Sequence, residues 1–598
     1  MRLAILLLIA VGVLAATQAA QAQGGGASGL HYTVRFEGLE GAGELADLVR
    51  ESSALVSRAE DPPPSRAGLQ RRADGDLDRF AAAAHSLGYY DAGFTAEIRP
   101  GGPDAGLEVV VAASPGAVYR IAAVEIRAVD EPSSTIGVDL PPQRIGLAPG
   151  DPARSAEVVK AEASVLRLLQ ERGHPLAKTG DRTVLVDRDA KTMAVTLRYD
   201  PGLAARFGPV QVAGAETVDP TFVLRRLPWT FGETADIRKI EEGRRSLSAT
   251  GVFDSAGVRF GDAVGPEGLI PVEVTLRERA PRTIGAGVSA STAEGAALTA
   301  FWTHRNLFGG AERLDLKGKL GTVESSLTGE LRLPDVIVND QDLVFSSGLF
   351  QETTDGYDSE KGTFGGRFER RVSEILTVDY GVVLERSRIE EDTGTSNYTL
   401  VGLPVGATLD TSDDLLNPTR GGRTQLRLTP YLESLGSTLS FYSMTARHSH
   451  YLALDDAHDF VLAGRAAFGA NIGASTGNIP ADKRLYSGGS GSVRGYGLQK
   501  IGPLDASDDP LGGGSLLEFG AELRWRVYGD FGIVPFIDAG QVYDDETPDL
   551  SGELQWAAGL GFRYFTPIGP IRADIAFPLN PRGSDDIFQV YFSLGQAF

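Results

Sequence analysis

The second half of the chain alternates apolar and polar residues with a period of two. The last alternating segment places apolar residues on one face and polar residues on the other: Phe588, Val590, Phe592 and Leu594 against Gln589, Tyr591 and Ser593. Segments 571–577 and 517–526 repeat the pattern, with charged residues in the polar phase. Such alternation predicts β-strands with two unlike faces. A transmembrane antiparallel β-barrel explains it best, because the apolar phase then faces lipid and the charged phase faces a wet lumen. A soluble β-sandwich is the alternative, but it would have to bury the repeated charges.

Residues 284–598 are predicted to form this barrel. At roughly 20 residues per strand and connection, they allow about 16 strands, an even number as closed antiparallel barrels need. The polar segments 351–356 and 390–394 are predicted to be longer external loops.

The first half of the chain has a different residue pattern, which forms a weak threefold repeat. Each copy begins with a short alternating strand, continues with helical stretches that end on a glycine (Gly88, Gly173 or Gly251), and closes with two strands. Glycine just past a helix is typical of a left-handed C-terminal cap. The repeat predicts three β-α-α-β-β domains of the α+β class, at residues 29–115, 118–202 and 205–279.

Composition narrows the functional classes. A formal net charge of −22 argues against a nucleic-acid partner, and the absence of cysteine excludes disulfides and thiolate metal sites. One long apolar run, residues 3–16, leads to an Ala20-Gln21-Ala22 cleavage pattern. We interpret residues 1–22 as a secretory signal peptide. A retained membrane anchor is the alternative.

A candidate functional loop stands out within the barrel region. Val493, Arg494, Gly495 and Tyr496 follow a glycine-rich stretch, and a strand with the pattern Phe536-x-Asp538-x-Gly540 comes later. A guanidinium that enters a partly desolvated lumen needs a carboxylate partner. We expect Asp538 to be that partner and Glu522 to be a second acceptor. A purely stabilising role for Arg494 remains the alternative to a role in transport.

The two ends of the barrel region differ in side-chain size. The first strand is built of small residues, including Gly285, Gly287 and Val288, whereas the last carries Phe592 and Leu594. Small side chains make few cross-strand contacts, so the closing seam is predicted to be weak and able to open laterally. The alternative is a closed seam in which glycine permits tight curvature.

Taken in order, these segments resemble the superfamily of outer-membrane insertases and translocases built from POTRA domains and a 16-stranded barrel (BamA-like proteins). The Val-Arg-Gly-Tyr loop and the Phe-x-Asp-x-Gly strand carry the resemblance, supported by Arg305–Gly310, Asn417–Gly421 and Thr566–Pro570. Three repeats and the ending 592–598 resemble the TamA branch, the translocation and assembly module subunits. The resemblance implies that the Arg494 loop folds into the lumen near Asp538, and that Phe598 is a recognition signal for barrel assembly. A plain interfacial aromatic anchor is the alternative for Phe598.

The resemblance also implies a function and partners. The protein would reside in the bacterial outer membrane and assist insertion or secretion of outer-membrane proteins such as autotransporters. Its partners would be client outer-membrane proteins, outer-membrane lipid, and an inner-membrane-anchored TamB-like protein bound to the POTRA domains. A two-partner-type secretion pore, a general barrel assembly insertase and a passive porin are the alternatives.

No catalytic, metal or cofactor site is predicted. The run Gly488–Gly497 fails the G-x-G-x-x-G pattern and has no helix after it, so it does not indicate a nucleotide cradle. His448 and His450 share a strand face without an evident third ligand, which favours polar lumen residues over a metal site. We therefore expect a protein that is not an enzyme.

Overall fold

A computed structural model describes residues 30–101, 106–130, 142–549, 552–566, 569–594 and 596. The predicted signal peptide at residues 1–22 and the predicted terminal signal Phe598 lie outside these ranges. Two compact units are present: the first contains the described residues up to Pro209 with 229–241 and 259–272, and the second contains 210–228, 242–258 and those from Glu273 onward. Within the described ranges, every helix is too short or too polar to cross a bilayer.

The N-terminal part forms three small sheets with helices, as the repeat predicts. The sheet orders are β1-β3-β2, β4-β7-β5 with β6 on β7, and β8-β10-β9. The strands are β1 (Tyr32–Glu37), β2 (Gly93–Pro100), β3 (Leu107–Ser114), β4 (Arg120–Ala128), β5 (Lys178–Thr179), β6 (Thr183–Asp187), β7 (Thr192–Asp200), β8 (Arg206–Ala213), β9 (Phe253–Phe260) and β10 (Leu269–Glu278). The helices are α1 (Gly43–Ser52), α2 (Ala54–Ser57), α3 (Arg66–Ser86), α4 (Pro142–Ile145), α5 (Ser155–Glu171), α6 (Pro220–Arg225) and α7 (Ile237–Ala249).

Helix α3 shows why the sequence folds this way. Leu69, Ala73, Phe80 and Ala84 recur on one helical face and are buried. Gly88, just beyond the helix, has φ of +94°, and Gly173 and Gly251 also have positive φ, which confirms the predicted left-handed positions after α3, α5 and α7.

The remaining residues close into a barrel. Its segments, in order around the barrel, are β11 (Arg282–Ser291), β12 (Gly295–Arg305), β13 (Arg313–Gly321), β14 (Glu324–Leu333), β15 (Gln341–Thr353), β16 (Asp358–Arg371), β17 (Leu376–Glu391), β18 (Gly394–Gly402), β19 (Val405–Asp410), β20 (Gly421–Tyr431), β21 (Phe441–Ala453), β22 (Phe460–Ile472), β23 (Ser515–Tyr528), β24 (Phe531–Tyr543), β25 (Gln555–Tyr564), β26 (Ile571–Pro578) and β27 (Gln589–Leu594).

Two of these segments are one interrupted strand. Both β18 and β19 pair with β17, at Val383–Glu391 and Leu376–Tyr380 respectively. The break falls at Leu403-Pro404, where proline has no N–H to give to the ladder. Counted this way, the barrel has 16 antiparallel strands, and the predicted fold class is confirmed.

The prediction of longer external loops at 351–356 and 390–394 is wrong. Strand β15 continues to Thr353 and β17 to Glu391, so only tight turns remain before β16 and β18. Their polar residues lie on the strands themselves, because long strands continue past the apolar band with polar residues on both faces.

Contacts within the second unit identify the barrel end nearest the third domain. Arg226, which follows α6, donates from Nε to Asp335 at 2.6 Å and from Nη1 to Asp340 at 3.2 Å. The Asn306 amide donates to Thr217 at 3.0 Å. The turns 306–312 and 334–340 therefore lie at the domain-proximal end, and the connection between β22 and β23 lies at the distal end.

Candidate functional site

The connection between β22 and β23, residues 473–514, enters the barrel. We call it the luminal loop. Its residues Ser487 and Ile501 form a β-bridge, so residues 488–500 make a closed excursion from that bridge. Val493, Arg494 and Tyr496 on this excursion are buried, although they belong to a loop.

Arg494 lies at the centre of a cluster of carboxylates. Its Nε donates to Asp538 Oδ2 at 2.7 Å and its Nη2 donates to Asp538 Oδ1 at 3.1 Å. Its Nη1 donates to Glu522 at 2.7 Å and to Asp574 at 3.2 Å. The side chains of Asp538, Glu522 and Asp574 are all fully buried, and that of Arg494 is 1% exposed. The structure thus brings together Arg494, Asp538 and Glu522 and adds Asp574.

The other residues of the two sequence patterns fix the loop in place. The Phe536 ring lies under the guanidinium, with Arg494 Cζ 3.5 Å from the ring centroid, a cation–π contact. Gly540 leaves room for Val493, since a Cβ at Gly540 would lie 2.8 Å from Val493 Cγ2. Gly495 has φ of +103°, and a Cβ there would lie 2.9 Å from Ala557 Cβ. The small residues are therefore needed for close approach of the loop to the wall.

Tyr496 and the backbone of Gly495 attach the loop to the last strands. The Gly495 N–H donates to the Tyr591 hydroxyl at 3.0 Å, and the Tyr496 hydroxyl donates to Trp556 O and Asn580 Oδ1, each at 3.1 Å. These contacts connect the loop with β25, β27 and the segment after β26.

The motifs did not predict four charged residues of the cluster: Arg524, Arg563, Arg572 and Asp574. Arg563 contacts Asp574, and Arg524 Nε donates to Glu522 Oε2 at 3.1 Å. Strand alternation already placed Arg524 and Asp574 in the polar phase, but it could not show which lumen residues meet at one height.

The base of the luminal loop is held by further ion pairs on the opposite wall. Arg484 Nη1 donates to Glu391 at 2.6 Å, and Lys361 donates to Asp482 at 3.0 Å. Lys483 contacts Glu385. The loop is therefore fixed at its base on β16 and β17 and at its tip on β23 to β26.

The seam between β11 and β27 is short. Among the described residues it has two Cα pairs, Ala290 with Phe592 and Ser291 with Tyr591, against ten between β11 and β12 and six between β26 and β27. The Thr292 N–H adds a bond to Val590 O at 3.0 Å.

Of the residues predicted for the seam, Phe592 has a partner across it. Gly285, Gly287 and Val288 pair with Phe301, Thr299 and Leu298 on β12, and Leu594 pairs with Ile571 on β26. Val288 is 77% exposed. Most of β11 thus presents an edge on its seam side.

Parts of this sequence are similar to known proteins. Residues 306–598 match the Omp85 superfamily domain. The match covers 293 of the 598 residues, so this part of the chain is similar to that superfamily. The outer membrane protein assembly factor BamA of Nitratidesulfovibrio vulgaris is 28% identical over 65% of this chain and 51% of its own length. BamA of Neisseria meningitidis serogroup B is 22% identical over 69% of this chain and 59% of its own length. The chain thus spans between half and three-fifths of these relatives.

A solved structure shares the fold. BamA from Haemophilus ducreyi lacking POTRA domains 1–3 superposes with a TM-score of 0.65 at 17% identity, over 80% of this chain and all of that one. The protein resides in the bacterial outer membrane, with its POTRA-like domains in the periplasm. The domain-proximal end of the barrel is accordingly the periplasmic end. No cluster of metal-binding side chains occurs in the described part of the chain.

Proposed function

We propose that this protein assembles or translocates other outer-membrane proteins by accepting their strands at the β11–β27 seam. One observation carries the proposal: the seam has two residue pairs, whereas β11 makes ten with its other neighbour. A strand edge with unused N–H and C=O groups is a template for another strand. The BamA relatives are named as outer membrane protein assembly factors, which agrees with this use of the edge.

Lipid contact favours the same role for β11. Ile284 and Val288, on its apolar phase, are 79% and 77% exposed. Backbone groups left unpaired in hydrocarbon are costly, so pairing of an incoming strand with this edge is favourable. The energy for assembly then comes from strand pairing and lipid burial in the client, with no nucleotide involved.

The finer assignment is to the TamA type. The three POTRA-like domains of the described chain support it. An inner-membrane-anchored TamB-like protein that binds these domains, and autotransporter-like clients, would follow from it. A dedicated two-partner-type secretion pore and a general assembly insertase are the competing assignments. Quantitative proteomics after depletion separates them: loss of autotransporters supports the TamA type, loss of one secreted protein the pore, and loss of most barrels the insertase.

The seam itself is tested with a reversible lock. The native chain has no cysteine, so Ala290→Cys with Phe592→Cys gives one possible disulfide, between Cα partners across the seam. We expect oxidised protein in liposomes to lose insertion of added client barrels, measured by their protease-protected, heat-modifiable form. Reduction should restore insertion.

A matched lock on the other edge of β11 is the control. Val288→Cys with Leu298→Cys joins β11 to β12, a pairing that the proposal leaves closed. This pair should insert clients equally well oxidised and reduced. Full insertion with the seam disulfide formed would contradict the proposed function.

A further inference from the structure

One buried carboxylate of the lumen is shared by three arginines. Seven ionic side chains form one contact cluster around the luminal loop, each at most 6% exposed: Arg494, Arg524, Arg563 and Arg572, with Glu522, Asp538 and Asp574. Within this cluster, Asp574 contacts Arg494, Arg563 and Arg572. A buried guanidinium that only shares a carboxylate can accept a further anion.

Arg572 is the weakest held of these three arginines. Its Nε is buried and has no hydrogen-bond acceptor among the described residues. The nearest carboxylate oxygen, Asp574 Oδ2, is 3.6 Å away and accepts from Arg494 at 3.2 Å, while Oδ1 of the same group contacts Arg563. Arg572 thus shares Asp574 with Arg494 and Arg563, and unlike them it makes no hydrogen bond to that carboxylate from its Nε.

Arg572 lines a cavity directly behind the seam. The cavity has a volume of about 450 Å³ and extends from β26 across β27 to β11. Its lining includes Ser289 and Ser291 of β11, Tyr591 and Ser593 of β27, and Ser490 of the luminal loop. The Arg572 guanidinium and the exposed strand edge therefore open onto the same space.

Strand register shows what would enter this cavity. Ala290 pairs with Phe592 and Ser291 with Tyr591, so the next position opposite β11 is Ser289 with Ser593. Ser593 is also the Cα partner of Arg572. A strand that pairs with β11 in this register places one side chain in the cavity, because alternate residues face the lumen.

We propose that Arg572 binds a carboxylate side chain on the lumen-facing phase of the incoming client strand, and so reads one position of that strand. The inference rests on the proposed strand addition at the seam. A carboxylate forms a bidentate pair with guanidinium. The cavity is also lined by Glu294, Glu324 and Glu352, which disfavour a dianionic phosphate group more than a single carboxylate.

Peptide binding to the full chain in nanodiscs tests the proposal. The probes are two fluorescent, C-terminally amidated peptides that copy residues 588–598, one with Ser593→Glu and the other with Ser593→Gln. We expect the Glu peptide to bind about tenfold more tightly, as about 1.4 kcal/mol corresponds to one decade in Kd. Arg572→Gln should abolish this preference, and Arg572→Lys should keep part of it.

A second variant keeps the test valid if Arg572→Gln fails to fold. Ser593→Glu in the protein itself supplies a carboxylate in cis, so it should remove the Glu preference while heat-modifiable migration stays unchanged. Equal binding of both peptides to the unaltered protein would overturn the carboxylate inference and leave strand addition standing. Binding of neither peptide would overturn both. Loss of the Glu preference in inorganic phosphate, but not in acetate, would assign the site to phosphate groups and overturn the carboxylate assignment.

Discussion

Arg494 is a loop residue that is as buried as a core residue, and its carboxylate partners make this possible. A lone guanidinium transferred from water into a closed lumen is strongly unfavourable. Here Asp538, Glu522 and Asp574 each accept from it, and the Phe536 ring covers one face. Removal of a single carboxylate therefore leaves charge uncompensated rather than simply deleting one contact.

Asp538→Asn should strongly destabilise the loop and the barrel. The change keeps the side-chain shape but removes one negative charge from the buried cluster. We expect the free energy of unfolding to fall by about 3–5 kcal/mol, the usual effect of breaking a buried ion pair. Urea unfolding in lipid vesicles measures it, and protease cleavage near Arg494 should increase in parallel.

Glu330→Gln is the control in the same barrel. Glu330 accepts from Arg367 at 3.0 Å, but its side chain is 34% exposed. The same carboxylate-to-amide change should then cost at most about 1 kcal/mol. An equal decrease in the free energy of unfolding for the two variants would show that the buried cluster stabilises the barrel no more than an exposed ion pair does.

The partners of Arg494 that lie in or near motifs could be predicted from the sequence. The other charged residues of the cluster could not. Asp538 and Glu522 follow from an acidic residue on the polar phase of a strand near an arginine loop. Asp574 and Arg563 have the same phase, but their meeting with Arg494 depends on the height of each strand in the barrel. Strand tilt and stagger set that height, and alternation along a single strand does not encode them.

At the scale of elements, strand number was predictable and strand ends were not. Alternation and length indicated 16 strands, which the barrel has once β18 and β19 are joined across Pro404. Polar residues near 351–356 and 390–394 instead suggested loops, because hydropathy changes where the lipid ends and not where hydrogen bonding ends. The weak seam could be anticipated from small residues in β11, but its pairing at Ala290 and Ser291 required the register.

The first two domains are joined by a pH-sensitive contact. Lys191 Nζ donates to Asp91 Oδ2 at 2.6 Å and the Tyr119 hydroxyl donates to Oδ1 at 2.8 Å. These bonds hold the pKa of Asp91 below its ordinary value. A carboxyl group with a lowered folded-state pKa adds stability above its unfolded pKa of about 3.9, and the contribution disappears as pH falls through the folded value.

Asp91→Asn should lower the thermal midpoint of the helical domains at pH 7, and the difference from wild type should shrink steadily as pH falls below about 3.9. The α-helices of the described chain all precede the barrel, so the circular dichroism signal at 222 nm reports mainly on these domains. Glu97→Gln is the control, because the Glu97–Arg99 pair is exposed and lies within one domain. A difference between wild type and Asp91→Asn that stays the same size as pH falls would contradict a role for the charged carboxylate.

At the scale of the whole chain, the luminal loop links the lumen and the seam. Ser490 donates from N–H and hydroxyl to Glu294, in the turn after β11, at 2.9 and 2.6 Å. Gly495 donates to Tyr591 of β27 at 3.0 Å. The same loop that fills the lumen thus contacts both sides of the seam. This arrangement differs from that of a passive porin, whose lumen must stay open.

Excision of the loop tip should convert the protein into a steady pore. The Ser487–Ile501 bridge brings the two loop stems together, so residues 488–500 can be replaced by Asn-Gly, which suits a two-residue hairpin turn. We expect single-channel conductance in planar bilayers to change from closed or brief openings to a continuous open level. The physical reason is loss of Val493, Arg494 and Tyr496, which occupy the lumen as buried side chains.

Two controls separate loss of the loop from general damage. Shortening the β20–β21 connection around Glu433–Gly436, whose residues are exposed, should leave conductance unchanged. Arg494→Gln keeps the loop but weakens its attachment, so it should give openings that are more frequent but still transient. An unchanged, closed conductance after excision would mean that the wall itself blocks the lumen, and the loop would then serve the seam alone.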